Sequence, residues 1–480
     1  MNDFYKIIKI TLIKIWGQII ITHSGMLSDI TRDKMMFGPY EYIPEKFLLV
    51  NNKSKDENCL DTLPNNRDDS IEPLLEKSSD DGAVIDSTAL NGGGLILTRN
   101  CNLRCSYCSE SSREGQNNDL TIADIDCFIG EIIKRVAIKN LITDKEDDLV
   151  FTLTGGGEPT YDWDMFERTI ETIRSKEKLN AIKIHISLTT NGILNDYQRN
   201  YIVNNIDSIM VSYDGMSEIQ DKNRIMATGI GSSKVVEESI SYFVKNGCQT
   251  TIRSTMWFSD FNRMIEIFNN MCDKFDMKMI KWSILPVIPT GRAKRKMDTE
   301  DMGNYDFFKY YIELIDYTNA KSDVYIIDCP LFPKKIAKIY CGALSVHCQS
   351  LWLMPEKTIT TCIELGKNAP VVANVDNNCI KYTAYHDKLL QKYKEKYSVC
   401  KDCVAFEICK GGCPARHIVA DQLLNDAIKT WECEMIQEYW NYVLLQLSSG
   451  NACLGWDAEQ VIVNGSCNAN ILKIIRGDNK

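Results

Sequence analysis

The sequence has no long hydrophobic run. Its first 22 residues are mostly apolar, but Lys6, Lys9 and Lys14 interrupt them at short intervals. No stretch approaches the ~18 uninterrupted apolar residues of a membrane helix. The order of an export signal is also missing, in which positive charges precede a clean apolar stretch and a small-residue cleavage site. These absences predict a cytoplasmic protein with no membrane partner, and they make the opening segment a strand or amphipathic helix of a folded extension. Positive charge is in short supply as well. A formal net charge of −10 and a pI of about 5.3 argue against a nucleic-acid backbone as partner, while tolerating a basic peptide. Histidine is scarce: His23, His185, His347, His386 and His417 fall in no ligand or catalytic spacing, and only His347 adjoins a clustered cysteine. No internal repeat is visible.

What is abundant is cysteine. Nineteen of them, an odd number without an export signal, do not suit a disulfide framework. In a reducing compartment clustered cysteines hold metal more often than they pair. The length, 480 residues, leaves room for two or three domains and a large core.

The texture of the chain divides it. Residues 1–50 are apolar and contain aromatics, ending in the strand-like Lys46-Phe-Leu-Leu-Val50, and residues 51–92 are polar and acidic and finish at Asn91-Gly-Gly-Gly94, a linker by composition. Residues 1–92 are thus an N-terminal extension. From 93 to 295 short apolar runs alternate with helical patterns. Strands are expected at Leu95–Thr98, Leu149–Leu153, Ile182–Leu188, Ile209–Ser212, Thr250–Thr255 and Ile280–Leu285, with helices such as Ile122–Val136, Met165–Ile173 and Lys234–Lys245 between them. Six successive βα units imply an α/β fold, a partial (β/α)6 TIM-type barrel with its chemistry at the C-terminal ends of the strands. Residues 296–340 bridge to a cysteine-rich region at 341–445, which holds nine of the nineteen cysteines and reads as metal-stapled. A helix at Ile436–Leu447 and a tail, 446–480, end the chain.

Cys101-x3-Cys105-x2-Cys108 follows the first expected strand, in the loop where a barrel places its active site. Chance would produce this spacing roughly 0.03 times per chain, so the cluster is meaningful. Thiolates are soft ligands suited to iron–sulfur clusters. A zinc site would need a fourth ligand, and no Cys or His follows within about twenty residues except Cys127. Three thiolates on a four-iron cubane leave one iron open. Cys101-Asn-Leu-Arg-Cys105-Ser-Tyr-Cys108 resembles the defining motif of the radical S-adenosylmethionine (radical SAM) enzymes, which are oxygen-sensitive. Thr154-Gly-Gly-Gly-Glu158-Pro159 is similar to the family's GGEP stretch, and Val211-Ser212-Tyr-Asp214-Gly215 with Asp221-Lys-Asn-Arg224 and Gly229-Ile-Gly-Ser232 to its fourth-strand stretch. Met216 departs from the usual proline. Thr189-Thr-Asn-Gly192 and Pro289-Thr-Gly-Arg-Ala293 complete a resemblance running over roughly 94–293.

The resemblance implies a 4Fe–4S cluster on Cys101, Cys105 and Cys108, with SAM chelating the open iron. It further implies that Tyr107 packs near the adenine, that the backbone at Gly156, Gly157 and Glu158 receives the SAM amino group, and that Ser212 contacts the SAM carboxylate. Arg224 is either a partner of that carboxylate or half of a structural salt bridge.

A second run, Cys400-x2-Cys403-x5-Cys409-x3-Cys413-Pro, would arise by chance roughly 0.001 times per chain, and its spacing alone also admits a zinc module. Cys409-Lys-Gly-Gly-Cys413-Pro-Ala-Arg416 resembles the signature of the SPASM domain, which carries auxiliary 4Fe–4S clusters in radical SAM enzymes acting on peptides and proteins. By that resemblance Cys341, Cys348, Cys362 and Cys413 hold the nearer auxiliary cluster and Cys400, Cys403, Cys409 and Cys433 the outer one, three clusters in all. Cys59, Cys127, Cys248, Cys272, Cys329, Cys379, Cys453 and Cys467 share no spacing and are expected in cores.

The function implied is hydrogen abstraction from a ribosomally made precursor peptide, installing a thioether or carbon–carbon crosslink, with electrons from a flavodoxin or ferredoxin. The extension of about 90 residues fits a leader-binding role. An anaerobic sulfatase-type maturase forming formylglycine is the alternative; those enzymes carry an acidic base directly after the cysteine matching Cys362, where this chain has Ile363 and then Glu364. Small-molecule cofactor biosynthesis shares the architecture, and a plain ferredoxin-like carrier would lack the barrel motifs.

Overall fold

The computed structural model describes residues 90–115, 119–143, 149–180, 182–248, 250–288, 290–297, 306–323, 325–332, 350–364, 371–377, 379–382 and 431–448, the positions 369, 403, 405, 409, 412 and 413, and the strand segments 35–37, 40–43, 48–51, 452–454 and 461–463. Near the N-terminus β1 (Met35–Phe37), β2 (Tyr40–Ile43) and β3 (Leu48–Asn51) form a small antiparallel sheet.

The main body is built from strand–helix repeats. Strands β4 (Gly92–Leu95), β5 (Leu149–Leu153), β6 (Ile184–Thr190), β7 (Ser208–Ser212), β8 (Thr250–Met256) and β9 (Ile280–Pro286) lie side by side in chain order, and each pairs with the next in parallel. Between them run α1 (Ile122–Thr143), α2 (Trp163–Asn180), α3 (Asp196–Asn205), α4 (Ser217–Asn223), α5 (Ser233–Lys245) and α6 (Met264–Lys274). Parallel neighbours need such crossovers, and right-handed ones return each strand to the same sheet. Helix α3 shows the local coding: Asn195 accepts from the Gln198 amide while Gln198 reaches back to the Asn195 amide, a capping box that starts the helix at Asp196.

Alternation along the strands sorts the two faces. Leu149, Phe151 and Leu153, then Ile184, Ile186 and Leu188, are buried against the helices in one continuous core, while Thr152, His185, Ser187, Ser212 and Arg253 lie on the partly exposed opposite face, the barrel lumen. This is the expected partial barrel. Its six strands are those the pattern predicts, β5 with the same bounds and the others displaced by at most three residues at an end.

One expectation fails. Gly92-Gly-Gly is not linker; it is most of β4, buried at every position. Crowding selects glycine here. A Cβ on Gly92 would lie 2.1 Å from the Val150 carbonyl oxygen, and one on Gly94 would meet the Trp352 ring at 1.9 Å. Trp352 belongs to β11 (Ser350–Leu353), which adds to the free edge of β4 in parallel and leads to the antiparallel strands β12 (Thr358–Thr360), β13 (Val371–Asp376) and β14 (Cys379–Tyr382). At the other edge α7 (Gly291–Met297) and α8 (Phe307–Asn319) precede β10 (Ile326–Asp328), which joins β9 in parallel. The sheet therefore has eleven strands. The C-terminal segment is part of the barrel's own sheet.

Two contacts fix that segment to the helices. The Arg135 guanidinium lies 4.2 Å from the centroid of the Tyr382 ring, whose hydroxyl donates to Glu131 at 3.1 Å. Helix α9 (Trp431–Ser448), longer than the expected Ile436–Leu447, docks through Tyr439, which stacks on Phe332 with centroids 4.5 Å apart. A further hairpin, β15 (Ala452–Leu454) with β16 (Val461–Val463), follows.

Candidate active site at the barrel mouth

The loop after β4 carries Cys101, Cys105 and Cys108, and every neighbouring strand end closes on it. The glycine turn after β5 presses against its entrance. Gly156 has φ +88, and a Cβ on Gly157 would sit 2.1 Å from the Asn100 carbonyl oxygen. The Glu158 amide donates to that same oxygen at 2.8 Å, and the Ser112 hydroxyl donates to the Gly156 carbonyl. From α7, just beyond β9, the Arg292 amide donates to the Cys108 carbonyl at 3.0 Å, its guanidinium to the Cys105 carbonyl at 2.7 Å and to the Ser112 carbonyl. From beyond β8 the Trp257 indole donates to the Ser106 hydroxyl at 3.1 Å. Three segments thus hold one loop.

Glu158 is a positioning group rather than a surface carboxylate. Buried, it accepts from the Thr160 and Thr190 hydroxyls at 2.8 Å each and from the Asn191 amide at 2.7 Å. Burial raises its pKa, against the pull of those donors. Asn191 in turn donates to the Asn102 side-chain oxygen at 2.7 Å and points toward Cys101 Sγ at 3.9 Å; the Leu103 amide donates to the same sulfur at 3.4 Å.

Tyr107 is buried, and its hydroxyl donates to Asp214 at 2.5 Å. Arg224 pairs with the other oxygen of Asp214 at 3.0 Å, and its guanidinium lies 5.2 Å from the Tyr107 ring centroid. Burial opposes the Arg224 charge, but Asp214 outweighs it and raises the pKa. The two readings of Arg224 thus resolve to the structural ion pair, which ties the fourth-strand motif to the cysteine loop. Ser212 stands at the C-terminal end of β7 on the lumen face, in register with Arg253 of β8. Trp257 and Arg253 were not singled out from the sequence. A lone arginine among the small and apolar residues of β8 was the available signal for the second.

The donors suit a cluster. Among the described residues no three Cys, His, Asp or Glu side chains converge as ligands to one bare ion would. Cys101, Cys105 and Cys108 share one partly exposed loop, and three thiolates so placed suit the separate irons of a cluster. Burial pushes the Cys101 thiol up to about 12, with Glu158 adding to it, and Cys105 up to about 11, so an ionised loop calls for a strongly positive occupant.

Of the second set, Cys341, Cys348 and Cys400 lie outside the described residues. Cys362 follows β12, Cys433 is on α9, and beside Cys413 the Gly412 amide donates to the Cys409 carbonyl at 2.9 Å. Gln437, one turn after Cys433, donates to Cys403 Sγ at 3.2 Å, which brings Cys403 to the helix face that carries Cys433. Of the cysteines expected in cores, Cys329 is buried and Cys127, Cys248 and Cys272 are half-buried, but Cys379 is exposed on the outer strand β14; Cys59 and Cys467 lie outside the described residues.

Residues 95–269 match the radical SAM superfamily model. The chain is 22% identical over 356 residues to a cysteine-type anaerobic sulfatase-maturating enzyme of Clostridium perfringens, covering 72% of this chain and 94% of the relative. It is 32% identical over 321 residues to a probable GTP 3',8-cyclase of Methanococcus maripaludis, covering 64% and 95%. Among solved structures, anSMEcpe with bound AdoMet and Kp18Cys peptide superposes with a TM-score of 0.53 at 18% identity, covering 75% of this chain and 98% of that one. Streptococcus suis SuiB bound to precursor peptide SuiA gives 0.50 at 17%, covering 69% and 73%. With its three-cysteine loop clasped at the mouth of a partial barrel, the chain belongs to the radical SAM superfamily.

Proposed function

We propose that the protein is a peptide maturase that abstracts hydrogen from a ribosomally made precursor and closes a thioether or carbon–carbon crosslink. When bound, the cluster on Cys101, Cys105 and Cys108 supplies one electron that cleaves SAM to methionine and a 5′-deoxyadenosyl radical. This chain's residues do the rest: the Gly156–Glu158 turn and Ser212 hold SAM, Tyr107 and Asp214 brace the loop, and the lumen orients the substrate hydrogen. Crosslink closure releases one further electron and a proton, and auxiliary clusters on the C-terminal cysteines would accept that electron.

The observation that carries the reading is the seat of the cysteine-rich segment. Strand β11 extends the barrel sheet beside β4, and Arg99, two residues before Cys101, pairs with Glu356 of the β11–β12 turn at 2.7 Å and with Glu110 at 2.7 Å. The segment bearing Cys362 is thereby fastened to the SAM loop. Both solved relatives named above hold peptides, which supports a peptide partner.

A second reading, formylglycine formation, is favoured by Glu364. Its charge reaches Glu110 on the cysteine loop and Arg253 in the lumen, so a carboxylate stands near the mouth although Ile363 occupies the position next to Cys362. Mass spectrometry of a co-expressed precursor peptide separates the two. A crosslink removes two hydrogens and gives no new carbonyl, whereas formylglycine yields an aldehyde that a hydrazide captures. Aldehyde capture would overturn the crosslinking assignment.

A further inference from the structure

Residues 223–227, between α4 and α5, run antiparallel beside the cysteine loop. The Ser106 amide donates to the Asn223 carbonyl at 2.8 Å, the Arg104 amide to the Ile225 carbonyl at 2.7 Å and the Ala227 amide to the Asn102 carbonyl at 2.8 Å. Next the Met226 amide donates to the Ile230 carbonyl and the Gly229 amide to the Met226 carbonyl, at 2.9 Å each. That closes a tight turn with Gly229 at φ +86. The turn holds Ile230 out at 66% exposure, and Ile225 and Met226 of the same segment are half-buried. One exposed isoleucine is ordinary on a protein surface. The charges around this one give it meaning. From Lys222 to Lys234 the chain carries no carboxylate, and both lysines are exposed. Asp221 is taken by the Ser233 amide at 2.7 Å and the Ser233 hydroxyl at 2.9 Å, and Arg224 by Asp214. On the loop itself Arg104 faces Glu114 at 3.6 Å. An apolar knob with a basic rim thus stands on a protein whose net charge is −10.

We infer that residues 222–234 form the docking surface for a small acidic one-electron carrier protein, with Ile230 at its centre and Lys222 and Lys234 on its rim. Electron-transfer partners meet through small, short-lived interfaces, in which an apolar centre gives contact and complementary charge gives speed of encounter. The three backbone bonds set this surface against Asn102, Arg104 and Ser106, the residues interleaved with Cys101 and Cys105. A carrier seated there adjoins the loop while the lumen stays open to SAM and substrate. The carrier loses one electron to the cluster that Cys101, Cys105 and Cys108 would hold, and no bond is made or broken. The inference rests on the radical SAM assignment, which creates the need for that electron, but not on which bond the enzyme makes.

The test uses the reconstituted full-length protein, anaerobically, with matched iron content. Wild type is compared with Ile230→Asp, with the pair Lys222→Glu and Lys234→Glu, and with Leu179→Asp, a control at an exposed leucine near the end of α2. Binding of flavodoxin, the probe, is read by biolayer interferometry at low and high salt, and by hydrogen exchange of residues 222–231. Formation of 5′-deoxyadenosine is driven either by flavodoxin with NADPH and its reductase or by dithionite. Wild type should bind flavodoxin more weakly as salt rises, and flavodoxin should slow exchange in 222–231. Ile230→Asp should weaken binding about tenfold, the lysine pair should weaken it and flatten its salt dependence, and Leu179→Asp should do neither. Flavodoxin-driven turnover should fall with binding, while dithionite-driven turnover, which needs no docking, stays within about twofold of wild type. Binding unchanged in both surface variants, or no binding by wild type, overturns the inference. Equally tight binding of polyglutamate would mark a generic anion surface and overturns it too. Failure of wild type to make 5′-deoxyadenosine with dithionite would instead overturn the assignment beneath it.

Discussion

The cysteine loop is held by contacts whose individual loss has different consequences. Asp214 and Arg224 are both buried and share their pairing with Tyr107, so removing one partner strands the other charge. Arg224→Ala is expected to cost about 3–5 kcal/mol of stability, whereas the double change Asp214→Asn, Arg224→Met should recover part of it. Urea denaturation reads this directly, and a single variant within about 0.5 kcal/mol of wild type would contradict the pairing. Ser212 makes a different prediction. Ser212→Ala should leave stability intact and weaken SAM binding roughly ten- to a hundredfold, the worth of a hydrogen bond to a charged group. An unchanged SAM dissociation constant would remove Ser212 from the site. At this scale the motifs were legible because chemistry demands particular residue types at fixed spacing. Arg224 was not, since its guanidinium could face SAM or Asp214 and only packing decides.

Among the elements, β4 departs most from its sequence. Strand propensity disfavours three glycines in a row, and their composition reads as linker. Tertiary crowding wins: the Trp352 ring and the Val150 backbone occupy the space side chains would need. Gly94→Ala should therefore destabilise the protein by about 1–3 kcal/mol through overpacking. The second change Trp352→Leu should relieve that cost, a coupling visible only in a double-mutant cycle. Simple additivity of the two would show that β11 does not pack on β4. The other barrel strands were readable because alternation of β-branched and polar residues follows the pleat. The attachment of β11 was hidden, because pairing between segments about 250 residues apart leaves no local pattern.

In the whole molecule the cysteine-rich segment continues the sheet of the barrel that carries the radical SAM loop. Gln437 of α9 reaches Cys403 at 3.2 Å, and the two auxiliary ligand sets remain a proposal. Iron analysis with Mössbauer spectroscopy should find three 4Fe–4S clusters per chain, and Cys413→Ala should find two. One cluster in the wild type, or zinc at 400–413, would reduce the C-terminal segment to a structural module. The most direct measurement is simpler. Purified protein, reconstituted with iron and sulfide and reduced with dithionite, should convert SAM to 5′-deoxyadenosine and methionine. Cys105→Ala, which removes one thiolate from the loop, should abolish that conversion, while turnover of this variant at the wild-type rate would contradict the central claim.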